Sequence, residues 1–218
     1  YTKNMRSDEK NYTRFLLPAA LAGLLLIFYG LFLVHPVNLV TADLGRHIKN
    51  GELFFETWRP PETNFYSYTE PEYPAMNHHW GSGVIFYLVW LVSGFIGIQL
   101  FIVVLNSAAF LIAFLLAYRR AGAGIAALVA ILMIPLLAER TELRPESFSY
   151  FLVMLFLLLL WRGRASDGMR ALWLLPALEI VWVNLHIYFF LGPLVVVAFF
   201  AEALLLRNRA RMRQLAVI

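Results

Sequence analysis

Side chains capable of acid–base chemistry concentrate in one polar stretch, residues 39–80, of an otherwise apolar chain. The stretch holds three of the five histidines and six of the fourteen acidic residues. Asp43 precedes Arg46 and His47 by about one helical turn, and a carboxylate close to a histidine suits a general base or a ligand of a divalent cation. The alternative for Asp43 is a helix N-cap, and the two roles are compatible. We predict that the catalytic residues are Asp43, His47, His78 and His79, and that Arg46 and Asn77 bind substrate.

The adjacent His78 and His79 are not expected to share one ion. On a helix, the side chains of consecutive residues diverge by about 100°, so we expect one to face the site and the other to face the lipid headgroups. The alternative is that either histidine is a hydrogen-bonded structural residue. The sequence lacks metal-ligand spacing of the HExxH type. No residue is therefore predicted to bind a metal, although a divalent cation is a candidate cofactor.

Two further polar clusters interrupt the apolar runs. Arg144 and Glu146 flank a proline, and an arginine there can hold a phosphate bidentately with Glu146 orienting it. The alternative is an exposed ion pair, which contributes little. Asn184 and His186 adjoin apolar residues at a helix end, where polar groups are costly and often functional, or else tie two helices together. We assign substrate binding to all four residues.

The composition indicates an integral membrane protein. Of 218 residues, 61% are hydrophobic and only 15% are charged, which is too little polar surface for a soluble globule of this size. The net charge of +4 comes from basic clusters beside apolar runs, a pattern of membrane orientation and not of nucleic-acid binding. The absence of cysteine excludes disulfides and thiolate metal sites.

The apolar runs predict an all-α polytopic bundle of about six transmembrane helices with juxtamembrane helices in the first outer loop. A helix needs roughly 20 residues to cross the hydrocarbon core. Six runs qualify or nearly so: 15–36, 98–118, 122–138, 147–161, 171–185 and 187–206. The short run 82–96 is either a thin span or an interfacial helix. Within the polar stretch, residues 43–52 read as a short amphipathic helix that stops at Asn50-Gly51.

Basic residues decide the predicted orientation. With the N-terminus inside and 82–96 not crossing, thirteen of the eighteen Lys and Arg residues lie on the cytoplasmic side, whereas a crossing by 82–96 inverts every later loop. All five histidines then lie outside. We expect one transmembrane domain over 1–218, with a cytoplasmic N-terminus at 1–14 and an outer loop at 37–97, in a prokaryotic plasma membrane. We also expect a further C-terminal part.

Taken in order, the polar motifs resemble those of the GT-C superfamily of membrane glycosyltransferases, which includes oligosaccharyltransferases and protein mannosyltransferases. The family pattern runs DLWWH, DPFSY, HEW, RPQ and WxNxH. The corresponding segments here are DLGRH at 43–47, NFYSY at 64–68, NHHW at 77–80, RPE at 144–146 and WVNLH at 182–186. The resemblance is to the N-terminal half of uncharacterised polytopic proteins of this kind and covers most of the chain.

The resemblance implies a glycosyl transfer from a polyprenyl-phosphate sugar to an acceptor hydroxyl or amide at the outer surface. Asp43 would take the acceptor proton, while Arg144 and a histidine would stabilise the departing lipid phosphate. Membrane lipid and the polyprenyl-phosphate donor are the implied partners. Two positions depart from the family pattern, since Asn64 replaces an Asp and His79 replaces the Glu of HEW.

Two alternatives to the enzyme follow from the same residues. The departures at Asn64 and His79 favour a non-catalytic GT-C-like subunit, a scaffold or lipid-binding partner of other membrane protein subunits in a larger complex. A transporter is disfavoured because the polar residues gather at one membrane face and not at the bilayer midplane.

Overall fold

The computed structural model describes residues 2–37, 43–139, 142–164 and 169–218, and for residues 2–15 and 169 the backbone only. In the described chain the regular elements are helices, which confirms the predicted all-α class, and one isolated β-bridge joins Thr63 to Pro74. The helices are α1 (Thr2–Leu33), α2 (Leu44–Thr57), α3 (Trp80–Ala138), α4 (Glu146–Arg162), α5 (Met169–Leu172), α6 (Leu174–Leu185), a 3-10 turn (Ile187–Phe190), α7 (Leu191–Leu205) and α8 (Arg209–Leu215).

Three segments of the described chain are long and apolar enough to cross a membrane. They are Leu16–Leu33, Trp80–Ala138 and Ile187–Leu205, the last made of the 3-10 turn and α7. By comparison, α4 has 17 residues and α6 only 12, which is short for a hydrocarbon core about 30 Å thick. Three apolar helices of this length identify the chain as a membrane protein.

Helix α3 turns sharply at Gly94. Its φ of 63° is a left-handed conformation that interrupts helical geometry and is easy for glycine. The rings of Phe86 and Phe101 both lie against Phe148, with centroid distances of 5.7 and 5.8 Å. In a straight helix these two residues would be about 22 Å apart along the axis. Residues 80–93 are therefore a separate helical segment, in line with the distinct short helix predicted at 82–96.

The chain divides into two compact units, one comprising Tyr1–Pro36 and Ser107–Thr141 and the other Val37–Asn106 and Glu142–Ile218. In the first unit, α1 packs on the later part of α3 through Tyr29 and Phe110, whose ring centroids lie 5.1 Å apart. The second unit contains every predicted site residue. Its core is built on large buried side chains from α2, α3, α4 and α6, namely Leu44, Phe86, Phe148, Phe156 and Trp182.

Helix α2 is longer than predicted, because the expected stop at Asn50-Gly51 is wrong. The helix continues to Thr57 and ends at Trp58, whose φ is 54° and whose N–H donates to Phe54 O. Gly51 is buried against the backbone of Gly83 in α3, and a side chain at Gly51 would collide with it. The glycine therefore serves a close helix–helix contact and not a helix terminus.

The buried Arg211 of α8 caps α4. Its guanidinium donates to Leu160 O at 2.8 Å and to Gly163 O at 2.5 Å. These carbonyls lie at the end of α4, where no intrahelical donor is left for them. The contact joins α8 to the end of α4.

Candidate functional site

The start of α3 packs between α2 and the end of α6. A Cβ on Gly83 would lie 2.8 Å from His47 O, and a Cβ on Gly81 would lie 2.8 Å from Asn184 O. Real Cβ atoms do not approach a carbonyl oxygen so closely, so glycine at both positions lets the three backbones meet. The consequence is that His79, just before α3, lies between a histidine of α2 and a histidine that follows α6.

These three side chains, His47, His79 and His186, form what we call the histidine junction. The ring centroids of His47 and His79 are 5.8 Å apart, and those of His79 and His186 are 5.1 Å apart with the planes tilted by 22°. His47 and His186 are 4% and 5% exposed. His78 is exposed, with its ring 6.4 Å from that of His79. The fold thus brings together predicted residues from three separate motifs.

Burial keeps the junction uncharged. It lowers the pKa of His47 to about 3, helped by the neighbouring His79 and Arg46. Burial and His79 lower the pKa of His186 to about 4, and burial also lowers the pKa of His79. The negative charge of Glu146 opposes the lowering at His79 and His186, and that of Asp43 opposes it at His47. The three imidazoles are neutral at pH 7.

His186 belongs to a buried hydrogen-bonded chain. Its Nδ1 lies 2.8 Å from Ser149 Oγ in α4, and the same oxygen accepts from Trp182 Nε1 in α6 at 2.7 Å. Ser149 and Trp182 are 1% and 0% exposed. The chain ties α4 and α6 to the extended residue that ends α6.

Asn184 reaches the start of α3 through Trp80. The indole Nε1 donates to Asn184 Oδ1 at 2.8 Å, and the Trp80 ring stacks on Phe54 of α2 with a centroid distance of 5.2 Å. Trp80 therefore connects α2 with the end of α6. Asn184 therefore ties two helices together, which was the alternative to substrate binding. It also lines the larger cavity described below.

Asp43 occupies the N-cap position of α2 but makes no side-chain capping bond. Its φ of 52° is left-handed, which Asp tolerates better than most residues. The carboxylate instead accepts from Arg46 at 3.0 Å, and the two side chains are 64% and 49% exposed. Asp43 thus presents an accessible carboxylate whose charge acts on His47.

Arg144 forms an ion pair with Glu142. The Arg144 Nε lies 2.6 Å from Glu142 Oε2, and both side chains are partly exposed. Glu146, at the first turn of α4, accepts from Tyr150 at 3.0 Å. Glu146 acts on His79 and His186 through its charge.

Two neighbouring cavities open beside the junction. The larger, about 870 Å³, is walled mainly by apolar side chains of the loop between α2 and α3 and of α6, together with Glu62, Asn77, His78 and Asn184. The smaller, about 190 Å³, is polar, and its wall includes Arg46, Asn64, Tyr66 and His79. Asn77 and His78 line both cavities. In the described chain, neither lining includes Asp43, His47, Arg144, Glu146 or His186.

Three buried polar atoms near the cavities have no hydrogen-bond partner among the described residues. They are Nδ1 of His47, Nδ1 of His79 and Nδ2 of Asn77, while Asn77 Oδ1 accepts from the His79 backbone N–H at 3.1 Å. Buried polar atoms in native proteins are nearly always paired, by protein or by bound molecules. The region is thus suited to a polar ligand.

A divalent cation does not fit the side chains that are described. Among them, no group of three or more His, Asp or Glu residues is arranged to hold a metal ion. The three junction histidines lie ring against ring and do not converge their nitrogens on one point.

Several residues of the site were not predicted from the sequence. Ser149 lies inside the apolar run of α4, and nothing in its local pattern marks it as a partner of His186. Asn50 is buried and accepts from Tyr66 at 2.8 Å, which fixes the loop against α2. Tyr66 is the middle residue of the NFYSY motif, and its place in that motif is the sequence feature that could have marked it as a site residue.

Comparison with protein-family models, with curated proteins and with solved structures finds no match to this chain.

Proposed function

We propose that this chain is a membrane glycosyltransferase of GT-C type that transfers a sugar from a polyprenyl-phosphate donor to an acceptor at the outer membrane face. The proposal includes the six spans and the cytoplasmic N-terminus expected from the basic residues, and a prokaryotic plasma membrane. The observation that carries it is the meeting, around His79, of motifs that are far apart in the sequence.

Four of the motifs reach the same region through a ring contact or a cavity wall, and the fifth acts on it through its charge. The DLGRH segment supplies His47, the NFYSY segment lines the smaller cavity, and the NHHW segment supplies His79. The WVNLH segment supplies His186, which stacks on His79, and the RPE segment adds the charge of Glu146. A meeting of four short motifs has a low chance of arising from membrane packing alone, since packing constrains apolar positions and not these polar ones.

The cavities suit the two parts of a lipid-linked sugar. The larger, mostly apolar cavity would hold the first units of the polyprenyl chain, and the smaller polar cavity would hold the sugar or the phosphate. Arg46 at the smaller cavity is a cation able to bind the phosphate.

In the proposed reaction, the acceptor oxygen or nitrogen forms a bond to the anomeric carbon as the bond from that carbon to the phosphate oxygen breaks. The acceptor proton passes to the Asp43 carboxylate, and the bonding electron pair leaves with the phosphate. Since the histidines are neutral, they would assist the leaving phosphate as N–H donors, and the positive charge would come from arginine.

The direct test is transfer of sugar from a polyprenyl-phosphate donor by the purified chain in lipid. Asp43→Asn is expected to lower kcat by about 10²- to 10⁴-fold, because the general base is lost. Asn also tolerates the left-handed backbone at this position, so the variant is expected to fold.

Glu52→Gln is the matched control. Glu52 is a second α2 carboxylate, paired with Lys49 three residues away just as Asp43 is paired with Arg46. Exposed pairs of this kind contribute little to stability, so the control is expected to keep full activity. Equal activity in both variants would remove Asp43 from its proposed role.

A non-catalytic subunit is the second candidate. The outer loop exposes Trp58 (72%), Tyr68 (101%) and Met76 (82%), which a partner chain could cover. The wild-type chain would then show no transfer activity, and a second membrane protein would copurify with it in a fixed ratio.

A further inference from the structure

We infer that Ser149 and Trp182 are positioning residues that fix His186 as a neutral imidazole with its proton on Nε2, so that His186 offers an N–H donor to the leaving phosphate. The role assigned to His186 rests on the proposed function. The tautomer does not, because it follows from the hydrogen bonds alone.

The direction of the first hydrogen bond is unambiguous. An indole nitrogen can only donate, so Trp182 Nε1 donates to Ser149 Oγ across 2.7 Å. Both side chains are fully buried in the contact between α4 and α6, where no solvent competes for the indole proton.

The second hydrogen bond then carries the Ser149 proton. In the described chain, the acceptor within reach of the Ser149 hydroxyl is His186 Nδ1 at 2.8 Å. If Nδ1 carried a proton instead, Ser149 would accept from both neighbours and its own buried proton would have no acceptor. An unsatisfied buried donor costs more than a normal hydrogen bond contributes. Ser149 therefore donates, and Nδ1 is unprotonated.

A neutral imidazole with a bare Nδ1 has its proton on Nε2. The Nε2 atom of His186 has no hydrogen-bond partner among the described residues. The free end of the ring is therefore a donor of fixed polarity beside His79. A neutral donor can strengthen its hydrogen bond as charge develops on the leaving phosphate, without first releasing a proton or a counterion.

The tautomer is testable by nitrogen NMR on the full chain in lipid nanodiscs at pH 7.5. Selective ¹⁵N-histidine labelling gives five residues in all, and His186→Gln identifies the His186 signals by their loss. We expect an unprotonated, hydrogen-bonded Nδ1 and a protonated Nε2. A protonated Nδ1 in the wild-type chain would overturn the inference.

Two variants disrupt the hydrogen bonds that join Trp182, Ser149 and His186. Trp182→Phe removes the donor that forces the orientation of Ser149, so Ser149 becomes free to accept and a second population with a protonated Nδ1 is expected. Ser149→Ala removes the hydrogen bond itself, so the Nδ1 signal is expected to move to the position of a free acceptor. Ser149→Thr keeps the hydroxyl and is expected to restore the wild-type spectrum.

Trp80→Phe is the matched indole control, since its Nε1 donates to Asn184 and not to Ser149. It is expected to leave the His186 signals unchanged. If Trp182→Phe and Ser149→Ala both left these signals unchanged, Ser149 and Trp182 would not be positioning residues.

Transfer activity forms a separate arm. Ser149→Ala is expected to lower kcat about 10-fold with little change in KM, and Ser149→Thr to recover it, because the lost contact acts in the transition state. A wild-type chain with the expected tautomer but no transfer activity would contradict the proposed function and leave the positioning of His186 standing. An active enzyme with a protonated Nδ1 would contradict the positioning of His186 and leave the proposed function standing.

Discussion

His47 and His186 owe their neutral state to burial and to the neighbouring His79, and His79 owes its own to burial and to the neighbouring His78. Each removes water from its neighbours, and a proton on one would repel a proton on the next. In the sequence they appeared as residues of separate motifs, and nothing in those motifs sets their protonation. The prediction that a histidine helps the leaving phosphate stays a prediction. The structure favours a neutral hydrogen-bond donor over a cation in that role.

The depressed pKa values predict a loss of stability in mild acid. The folded-state pKa of His47 is about 3 and that of His186 is about 4, against about 6.5 in an unfolded chain. Below pH 6.5 the unfolded chain binds protons that the folded chain does not. Stability is therefore complete above pH 6.5 and falls by about 1.4 kcal/mol per pH unit for each histidine as the pH drops.

Thermal unfolding of the detergent-solubilised chain between pH 7.5 and 5 measures this slope. His47→Gln is expected to flatten it, while His78→Gln, at an exposed position, is expected to keep it. An unfolding temperature that does not change over this range in the wild-type chain would contradict the pKa values.

Glycines at the start of α3 decide how close the helices come. Gly83 lets α2 approach, and Gly81 lets the end of α6 approach, which places His79 between them. The sequence presented Gly51 as a stop signal, and the same residue is a contact site in the fold. A glycine in a helical pattern is ambiguous for this reason, since both uses need the missing side chain and only the neighbouring helix distinguishes them.

Gly83→Ala is expected to destabilise the chain by about 1–3 kcal/mol, because its Cβ would meet His47 O at 2.8 Å and a backbone atom cannot move aside easily. Gly45→Ala is the matched control on α2, where a Cβ meets nothing within 4 Å. There the higher helix propensity of alanine is expected to raise stability by up to about 1 kcal/mol. Unfolding in a mild denaturing detergent compares the two, and equal unfolding midpoints would exclude the close contact.

The predicted orientation of the whole chain in the membrane rests on its basic residues. Three helices are apolar and long enough to span, whereas the six predicted spans depend in addition on α4, α6 and the division of α3. The turn at Gly94 sets residues 80–93 apart as a segment of their own.

The absence of native cysteine makes a labelling test of orientation clean. Tyr68→Cys lies at a fully exposed loop position, and Arg209→Cys lies at an exposed position of α8. A membrane-impermeant maleimide is expected to label Tyr68→Cys in intact cells and Arg209→Cys only after permeabilisation. Labelling of both from the same side, or with the sides reversed, would contradict the predicted topology.

The sequence by itself determined that this is a helical membrane protein and that its polar motifs are the place to look for chemistry. Both conclusions follow from local composition, because apolar length and hydrogen-bonded helices are what a bilayer requires. Only the tertiary structure decided which of these residues meet. His47, His79 and His186 are joined by glycine contacts between helices, and Ser149 enters the site from an apolar helix face. Such contacts depend on residues up to 107 positions apart, between His79 and His186, which local pattern does not encode. Asp43, the residue from which the chemistry was first inferred, proves to be an accessible carboxylate beside Arg46 at the N-terminus of α2.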